Sequence, residues 1–383
     1  MRIAIVGGGI GGLSAALTLS RTGHSVTIHE RTPEPSRLGA GLQVSANARR
    51  VLHHLGLTDE LDRIVTEPSR IVLRRWNDDT EIAHTMLHGV HEEKFGTRYA
   101  NVSRADLLGI LVDAVDAEDS IDLRFGSIID GPESIADHDV VVGADGIHSR
   151  VREHVVGADE PRFSGTAAFR AQVPREALAH LAVETTNRLG PGAHVVSYFI
   201  GRNQSHHNLV FVAPQEEPIG ESWTQQADVA ELRAAFAGWS DELSTIIELV
   251  EEPVYKWALY DREPLKTWTK GAVTLLGDAA HPMLPFMAQG ACQAIEDAAV
   301  LARCLDGVDA HDAPRALLTY EANRIDRTAR IQTGSYRNRI AYHLPDGEQQ
   351  EARDAAFASS SWGDALDWLY GHDPLSVPLL QPS

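Results

Sequence analysis

The chain has 383 residues, 43% of them hydrophobic, enough to bury a sizeable core and build two intimately joined domains. Its 34 Lys and Arg stand against 54 Asp and Glu, a formal charge of −20 spread along the chain, which argues against nucleic acid or an anionic membrane surface as partner. The two cysteines, Cys292 and Cys304, offer neither a disulfide framework nor a zinc spacing, and no apolar run approaches the ~20 residues of a membrane span, so the expectation is a cytoplasmic protein that holds no metal.

Arg2–Val6 reads as a buried strand, and Gly7-Gly8-Gly9-Ile10-Gly11-Gly12 matches G-x-G-x-x-G at Gly7, Gly9 and Gly12. A helix follows from Leu13, and Ser25–Glu30 is a second strand ending on an acid. Strand, tight turn, helix, strand and carboxylate together form the dinucleotide fingerprint: the pyrophosphate lies on the helix N-terminus and the acid takes the ribose hydroxyls. Glu30 disfavours a 2′-phosphate, so the adenosine belongs to FAD or NAD.

Further along, Tyr99–Val102 is strand-like and Arg104 opens a helix, where a cation can meet a pyrophosphate or a flavin ring. Asp139–Gly143 is another buried strand, leading into Asp145-Gly146 and a basic helix start. Ile71–Trp76 and the segment from about Pro161 to Lys256 alternate apolar and polar residues. They predict antiparallel strands with one face covered, layered on the nucleotide domain. Within that segment, 231–236 and 243–250 have helical patterns. Ala272–Leu276 is a short apolar strand ended by Gly277-Asp278, with Pro282 and Pro285 stiffening the turn and a helix from about Ala291. A carboxylate at a strand end beside a helix N-terminus suits a polyol and an anionic ring edge. The tail from Pro314 is helical, with Tyr320, Ile325, Ala329 and Ile331 as packing positions.

Gly7–Gly12, Gly143-Ala144-Asp145-Gly146 and Gly277-Asp278 in that order resemble the three motifs of the class A flavin-dependent aromatic hydroxylases, and the likeness runs from Arg2 to the tail at 368–373. It is supported by Arg37–Gln43, Ser103–Leu108 and Tyr320–Arg324, and is nearest to the 6-hydroxynicotinate 3-monooxygenase and salicylate 1-monooxygenase groups. The resemblance implies an α/β fold like that of p-hydroxybenzoate hydroxylase. A Rossmann-like FAD-binding domain (1–70, 98–160 and 263–315) would interleave with an antiparallel-sheet substrate domain (71–97 and 161–262) and end in a helical segment (316–383). The cofactor contacts it implies are Gly7, Gly9, Gly12, Glu30, Arg31, Arg37, Gln43, Arg104, Asp145, Gly146, Asp278, Pro285, Gly290 and Ala291. Gln43 stands where some 6-hydroxynicotinate hydroxylases carry a histidine, a departure from that group's pattern.

The implied activity is hydroxylation of an aromatic or N-heteroaromatic acid or phenol, with FAD reduced by NADH or NADPH and dioxygen activated as a flavin C4a-hydroperoxide. Pro282, Leu284, Pro285, Phe286 and Met287 are expected to wall off that oxygen from water. A base for the substrate hydroxyl is sought on the sheet, where Tyr198 is the first candidate, helped by His206 or His207. His194 is a weaker candidate, and His281 is expected to orient its own turn. Expected partners are the ring substrate, dioxygen and NAD(P)H, with the chain a monomer or homodimer. Two alternatives stay open: an FAD oxidoreductase of the same fold without oxygen insertion, and a non-catalytic redox-sensing flavoprotein.

Overall fold

A computed structural model describes residues 1–35, 40–218, 225–359 and 363–381. Apolar runs such as Ile3–Val6 and Val140–Val142 cannot sit at a surface on either face, and they become the centre of a six-stranded sheet. Its order is Thr269–Lys270, Val273–Leu275, Val140–Gly143, Arg2–Val6, Ser25–Glu30 and Ile121–Phe125, parallel except at the first strand. The Ile10–Arg21 and Gly290–Leu305 helices pack on it through one large apolar core. A two-stranded ribbon, Gly41–Val44 with Ala100–Ser103, stands between this layer and a second sheet.

The second sheet has eight strands, in the order Gln226–Ala227, Val254–Asp261, Arg162–Pro174, His206–Pro214, Ala193–Ile200, Thr185–Gly190, Arg70–Arg75 and Glu81–Met86. Contrary to the purely antiparallel expectation, Thr185–Gly190 runs parallel to Arg70–Arg75, because the two strands are joined through a long excursion rather than a hairpin. Both faces of its middle are covered as well, not one.

Register decides what each face carries. Across the three middle strands Val195, Phe211 and Phe169 pair in one row, and Ser197, Leu209 and Ala171 in the next. These residues lie under the Val229–Ala235 and Asp241–Glu248 helices in a core with Leu232, Phe236, Leu243 and Ile246. The alternate rows are Tyr198–Asn208–Gln172, Val196–Val210–Arg170 and His194–Val212–Ala168. They face the other way, towards the first sheet, where Ala168 and Val212 pack with Leu284, Phe286 and Tyr342.

The Ala313–Tyr342 helix runs along the junction, with Tyr320 and Ile331 buried as expected and Ile325 and Ala329 half-buried. Among the described residues no helix is long and apolar enough to cross a membrane.

Candidate active site

Three sequence-distant turns meet at the carboxyl ends of the parallel strands. Gly7 has φ +110°, and a Cβ there would sit 2.3 Å from the carbonyl oxygen of Ala144. One on Gly11 would sit 2.8 Å from Leu276 Cδ2 and 3.0 Å from Ala294 Cβ. The first glycine turn is thus wedged between the second and the third. Gly12 lies as close to the Gly7 carbonyl, whereas a Cβ on Gly9 would meet nothing within 4 Å. The Ile10–Arg21 helix has no side-chain cap, so its first N–H groups open onto that space, the arrangement an anionic pyrophosphate needs. Beside it Glu30 accepts the Gly8 N–H at 2.7 Å and the Thr32 N–H at 2.8 Å. Arg31 is exposed; Arg37 lies outside the described residues.

The second turn differs from expectation in what its acid does. Asp145 accepts the Ser149 hydroxyl at 2.5 Å and the Arg150 N–H at 2.8 Å, so its carboxylate closes its own turn at the start of the Arg150–Val156 helix. Burial pushes its pKa up, and those hydrogen bonds oppose the shift. Gly146 takes φ +82° with open space at its Cβ position.

The third turn is anchored by charge. The Gly277 N–H (2.9 Å) and His281 Nε2 (2.6 Å) both contact Asp297 Oδ2, and Arg324 donates to Asp297 (2.6 Å) and to Glu296 (2.7 Å). Arg327 adds two more bonds to Glu296. His281, Glu296, Asp297 and Arg324 are fully buried, a placement charges tolerate only when each is paired and hydrogen-bonded. Despite burial, the arginines hold the pKa of Glu296 far below the usual range, while His281 and Arg324 lower that of Asp297. His281 therefore orients its turn.

Against this frozen background Asp278 and Pro285 are the exposed residues of an otherwise enclosed stretch. Asp278 is open by area yet ringed by protein, as a group lining a narrow cleft must be. Desolvation pushes its pKa up, opposed by His281 and Arg104. Arg104 answers from its own helix start: burial lowers its pKa, and the charges of Asp278 and Glu30 raise it. Gly290 and Ala291 form the uncapped first turn of the Gly290–Leu305 helix, and a Cβ on Gly290 would lie 3.8 Å from Asp278 Oδ1.

The sheet supplies the opposite wall. Gly41 presses its backbone onto it: a Cβ there would fall 2.6 Å from Asn208 and 2.7 Å from Tyr198, and its N–H donates to Asn208 Oδ1 at 3.0 Å. Two residues on, Gln43 Oε1 accepts the Tyr99 hydroxyl at 2.5 Å. Tyr198 is 4% exposed, and burial raises its pKa well above the ordinary value, with Arg170 and Gln43 opposing. A phenol so placed stays protonated near neutral pH, so the expectation of Tyr198 as proton acceptor is replaced by one of hydrogen-bond donor.

Arg170, stacked on Trp257 at 3.9 Å, lies on the same face, and burial lowers its pKa to about 10. Sequence reasoning assigned no role to Arg170, Glu296, Asp297 or Arg324. The available signal was adjacent acids inside an apolar helix, and an arginine flanked by Ala168, Phe169 and Ala171 in a strand.

The strand register splits the two histidines between its faces. His207 belongs to the helix-covered face, edge-on to Phe199 at 4.5 Å between ring centroids, and neither ring nitrogen has a hydrogen-bond partner. Burial and two nearby arginines push its pKa down to about 3. His206 is exposed at the strand's end beside the Ser205 hydroxyl, 2.9 Å away. By register His206 shares the face of Tyr198 and Asn208, at the exposed end of the strand. His194 is on the cleft face but spends Nδ1 on His343 Nε2 at 2.7 Å.

Comparison with known proteins agrees with this arrangement. A family model described as "FAD binding domain" matches residues 1–134 and 130–335. The chain is 39% identical over 394 residues to 3-amino-4-hydroxybenzoate 2-monooxygenase PtmB3 of Streptomyces platensis, spanning 98% of this chain and 97% of that protein. It is 33% identical over 401 residues to 6-hydroxynicotinate 3-monooxygenase of Bordetella bronchiseptica, spanning 99% and 97%. The solved structure of Klebsiella pneumoniae HpxO complexed with FAD and uric acid superposes with a TM-score of 0.82 at 26% identity, over 97% of this chain and 96% of that one. With its open helix N-terminus at Gly9 and its converging glycine turns, the chain belongs to the FAD binding domain family and is an FAD-dependent aromatic monooxygenase of the class A hydroxylase type.

Proposed function

We propose that the protein hydroxylates a ring carrying both a hydroxyl and a carboxylate, aromatic or N-heteroaromatic, with NADH or NADPH as reductant. The observation that carries this reading is the pairing of two walls. One is the cradle of Glu30, Arg104 and Asp278; the other is a sheet face that presents Tyr198 and Arg170 towards it. The two relatives named above act, by their names, on an amino-hydroxybenzoate and a hydroxynicotinate, rings of this chemistry. We assign the cradle to 1–70, 98–160 and 263–315, and the substrate wall to 71–97 and 161–262. We place the protein in the cytoplasm, where nicotinamide reductant is available and buried Cys292 and Cys304 stay reduced.

The chemistry that bound FAD supplies is reductive activation of dioxygen at the expense of NAD(P)H. The chain's own residues bind and orient. The Ile10–Arg21 helix start receives the pyrophosphate, Glu30 the ribose hydroxyls, and Asp278 the ribityl hydroxyls. Arg170 pairs with the substrate carboxylate through its planar guanidinium. Tyr198, kept neutral by burial, donates a hydrogen bond to the substrate hydroxyl oxygen and so favours its ionised, more nucleophilic form. Gln43 and Tyr99 hold Tyr198 in place. Leu284, Pro285 and Phe286 keep water from the reacting oxygen.

The test is a panel of hydroxylated aromatic and pyridine carboxylates, scored for stimulated NAD(P)H oxidation and for product mass gained from labelled dioxygen. Stimulation without an incorporated oxygen atom for every ring would overturn the reading in favour of an oxidase-like flavoprotein. In parallel, Asp278→Ala should lose bound FAD, by a factor of about 10 to 100 in affinity for charge-assisted hydrogen bonds, while its circular dichroism matches the parent. Full yellow occupancy and coupled turnover in that variant would remove Asp278 from the cradle.

A further inference from the structure

The Pro282–Ala288 segment crosses from the cradle to the sheet without belonging to a strand, and two of its residues are prolines that cannot donate. Its carbonyls therefore need donors from elsewhere. They come from one face of the Ala313–Tyr342 helix, at a spacing of three residues. Gln332 Nε2 donates to the Pro282 carbonyl at 3.1 Å, the Ser335 hydroxyl to that of Leu284, and Asn338 Nδ2 to that of Phe286 at 3.0 Å. Between these rungs a Cβ on Gly334 would fall 2.7 Å from Met287 Sδ, so the helix is indented where the segment presses on it.

The segment is also held in a costly shape. Ala288, a residue with a Cβ, sits in the left-handed region at φ +51°, a conformation that persists only where the surroundings over-determine it. On its far side Phe286 is packed edge-on against His194, with ring centroids 5.0 Å apart, and against His343 at 5.8 Å. Every second carbonyl from 282 to 286 is thus fixed by the helix, while the Phe286 side chain is fixed by the sheet.

We propose that Gln332, Ser335 and Asn338 are positioning residues whose ladder sets the coupling of the reaction, that is, the fraction of NAD(P)H oxidised that ends as hydroxylated ring. The inference rests on the reading of the Pro282–Met287 segment as the water-excluding wall. When the wall loosens, one NAD(P)H, one proton and one dioxygen are converted to NAD(P)⁺ and hydrogen peroxide, and the ring is left unchanged. The three side chains donate to backbone carbonyls of the segment, so their effect runs through the backbone they hold.

The experiment uses FAD-loaded Ser335→Ala/Asn338→Ala and a substrate that the parent enzyme hydroxylates. It measures peroxide released per NAD(P)H oxidised and, on the same FAD-loaded protein, hydrogen exchange of the amides of residues 283, 284 and 286–288. Each lost neutral hydrogen bond is expected to loosen the segment by about five-fold in its opening equilibrium. Faster exchange should be confined to that segment, peroxide should rise at constant FAD content, and Ser335→Thr should restore coupling by keeping the hydroxyl. Unchanged coupling with unchanged local exchange would overturn the proposal. So would exchange that rises equally throughout the six-stranded sheet, which marks a general loss of stability. Should the double variant fail to fold, Asn338→Leu, similar in size but without the donor, decides by the same two readouts. A parent enzyme that hydroxylates no ring sinks the wider reading, whereas a coupled parent with an equally coupled variant sinks only the ladder.

Discussion

Tyr198 and Phe199 are neighbours in one strand, and His207 and Asn208 are neighbours in the next, yet each pair is split between two environments. Phe199 and His207 lie on the helix-covered face, and neither ring nitrogen of His207 has a hydrogen-bond partner. Tyr198 and Asn208 lie across the sheet, where Gly41, Gln43 and Arg170 meet them. One residue of register separates a ring on the cleft side of the sheet from one under the helices. The lesson is that polarity within an alternating strand does not identify the reactive face. What identifies it is the element that comes to cover each side.

Three substitutions break or sharpen that contrast. The largest effect should come from the covered face: Phe211→Ala empties a fully buried site and should cost about 3–5 kcal/mol of stability. Peroxide release per NAD(P)H should stay at the parent value below the new melting temperature. Loss of coupling in a variant that is still folded would mean that the two faces are not separable.

Next comes the cleft face. Tyr198→Phe removes a donor to an ionised oxygen, worth about 1.5–3 kcal/mol, so ring hydroxylation should slow by roughly 10- to 100-fold. Flavin reduction needs no such donor and should change far less. Stopped-flow traces in which both steps slow equally, or neither does, would return Tyr198 to the status of a packing aromatic.

The smallest effect should be that of His207→Leu. The folded-state pKa of about 3 lies below the ordinary value of 6.5. The unfolded chain therefore binds a proton in that window that the folded chain does not, and stability contributed by the neutral ring is lost as pH falls from 6.5 towards 3. Leucine removes this liability along with the unpaired nitrogens, so the variant should gain roughly 1 kcal/mol at pH 7 and more at pH 5. Melting curves at the two pH values check the sign, and hydroxylation should remain at the parent rate. A variant that loses hydroxylation while keeping its fold would put His207 back in the mechanism.

Local chemistry made the cradle readable. Gly7 and Gly12 are required by close backbone approaches and Gly277 by its φ of +62°, and Glu30 and Asp278 stand at the ends of apolar strands, so these patterns pointed to a nucleotide and to a turn opposite it. The strand-turn-helix-strand unit and the Gly277 turn are each set by residues within about 20 positions of one another, which is the range over which sequence patterns carry structural meaning. The task of Asp145 was less legible, because an acid after a glycine can face a ligand or close its own turn, and only the placement of the Ser149 hydroxyl decides.

What the sequence by itself determined was therefore the nucleotide-binding unit, the order of the three turns, the alternating second sheet and the family to which they belong. The tertiary structure decided which side of that sheet faces the cleft, and hence that Tyr198 and Arg170 share a wall from which His207 is excluded. It also decided that Glu296 and Asp297 are paired with Arg324 and Arg327 behind the Asp278 turn. The physical reason is the same in both cases. A side chain's charge state and reach depend on what is packed against it, and those neighbours lie tens to hundreds of residues away along the chain.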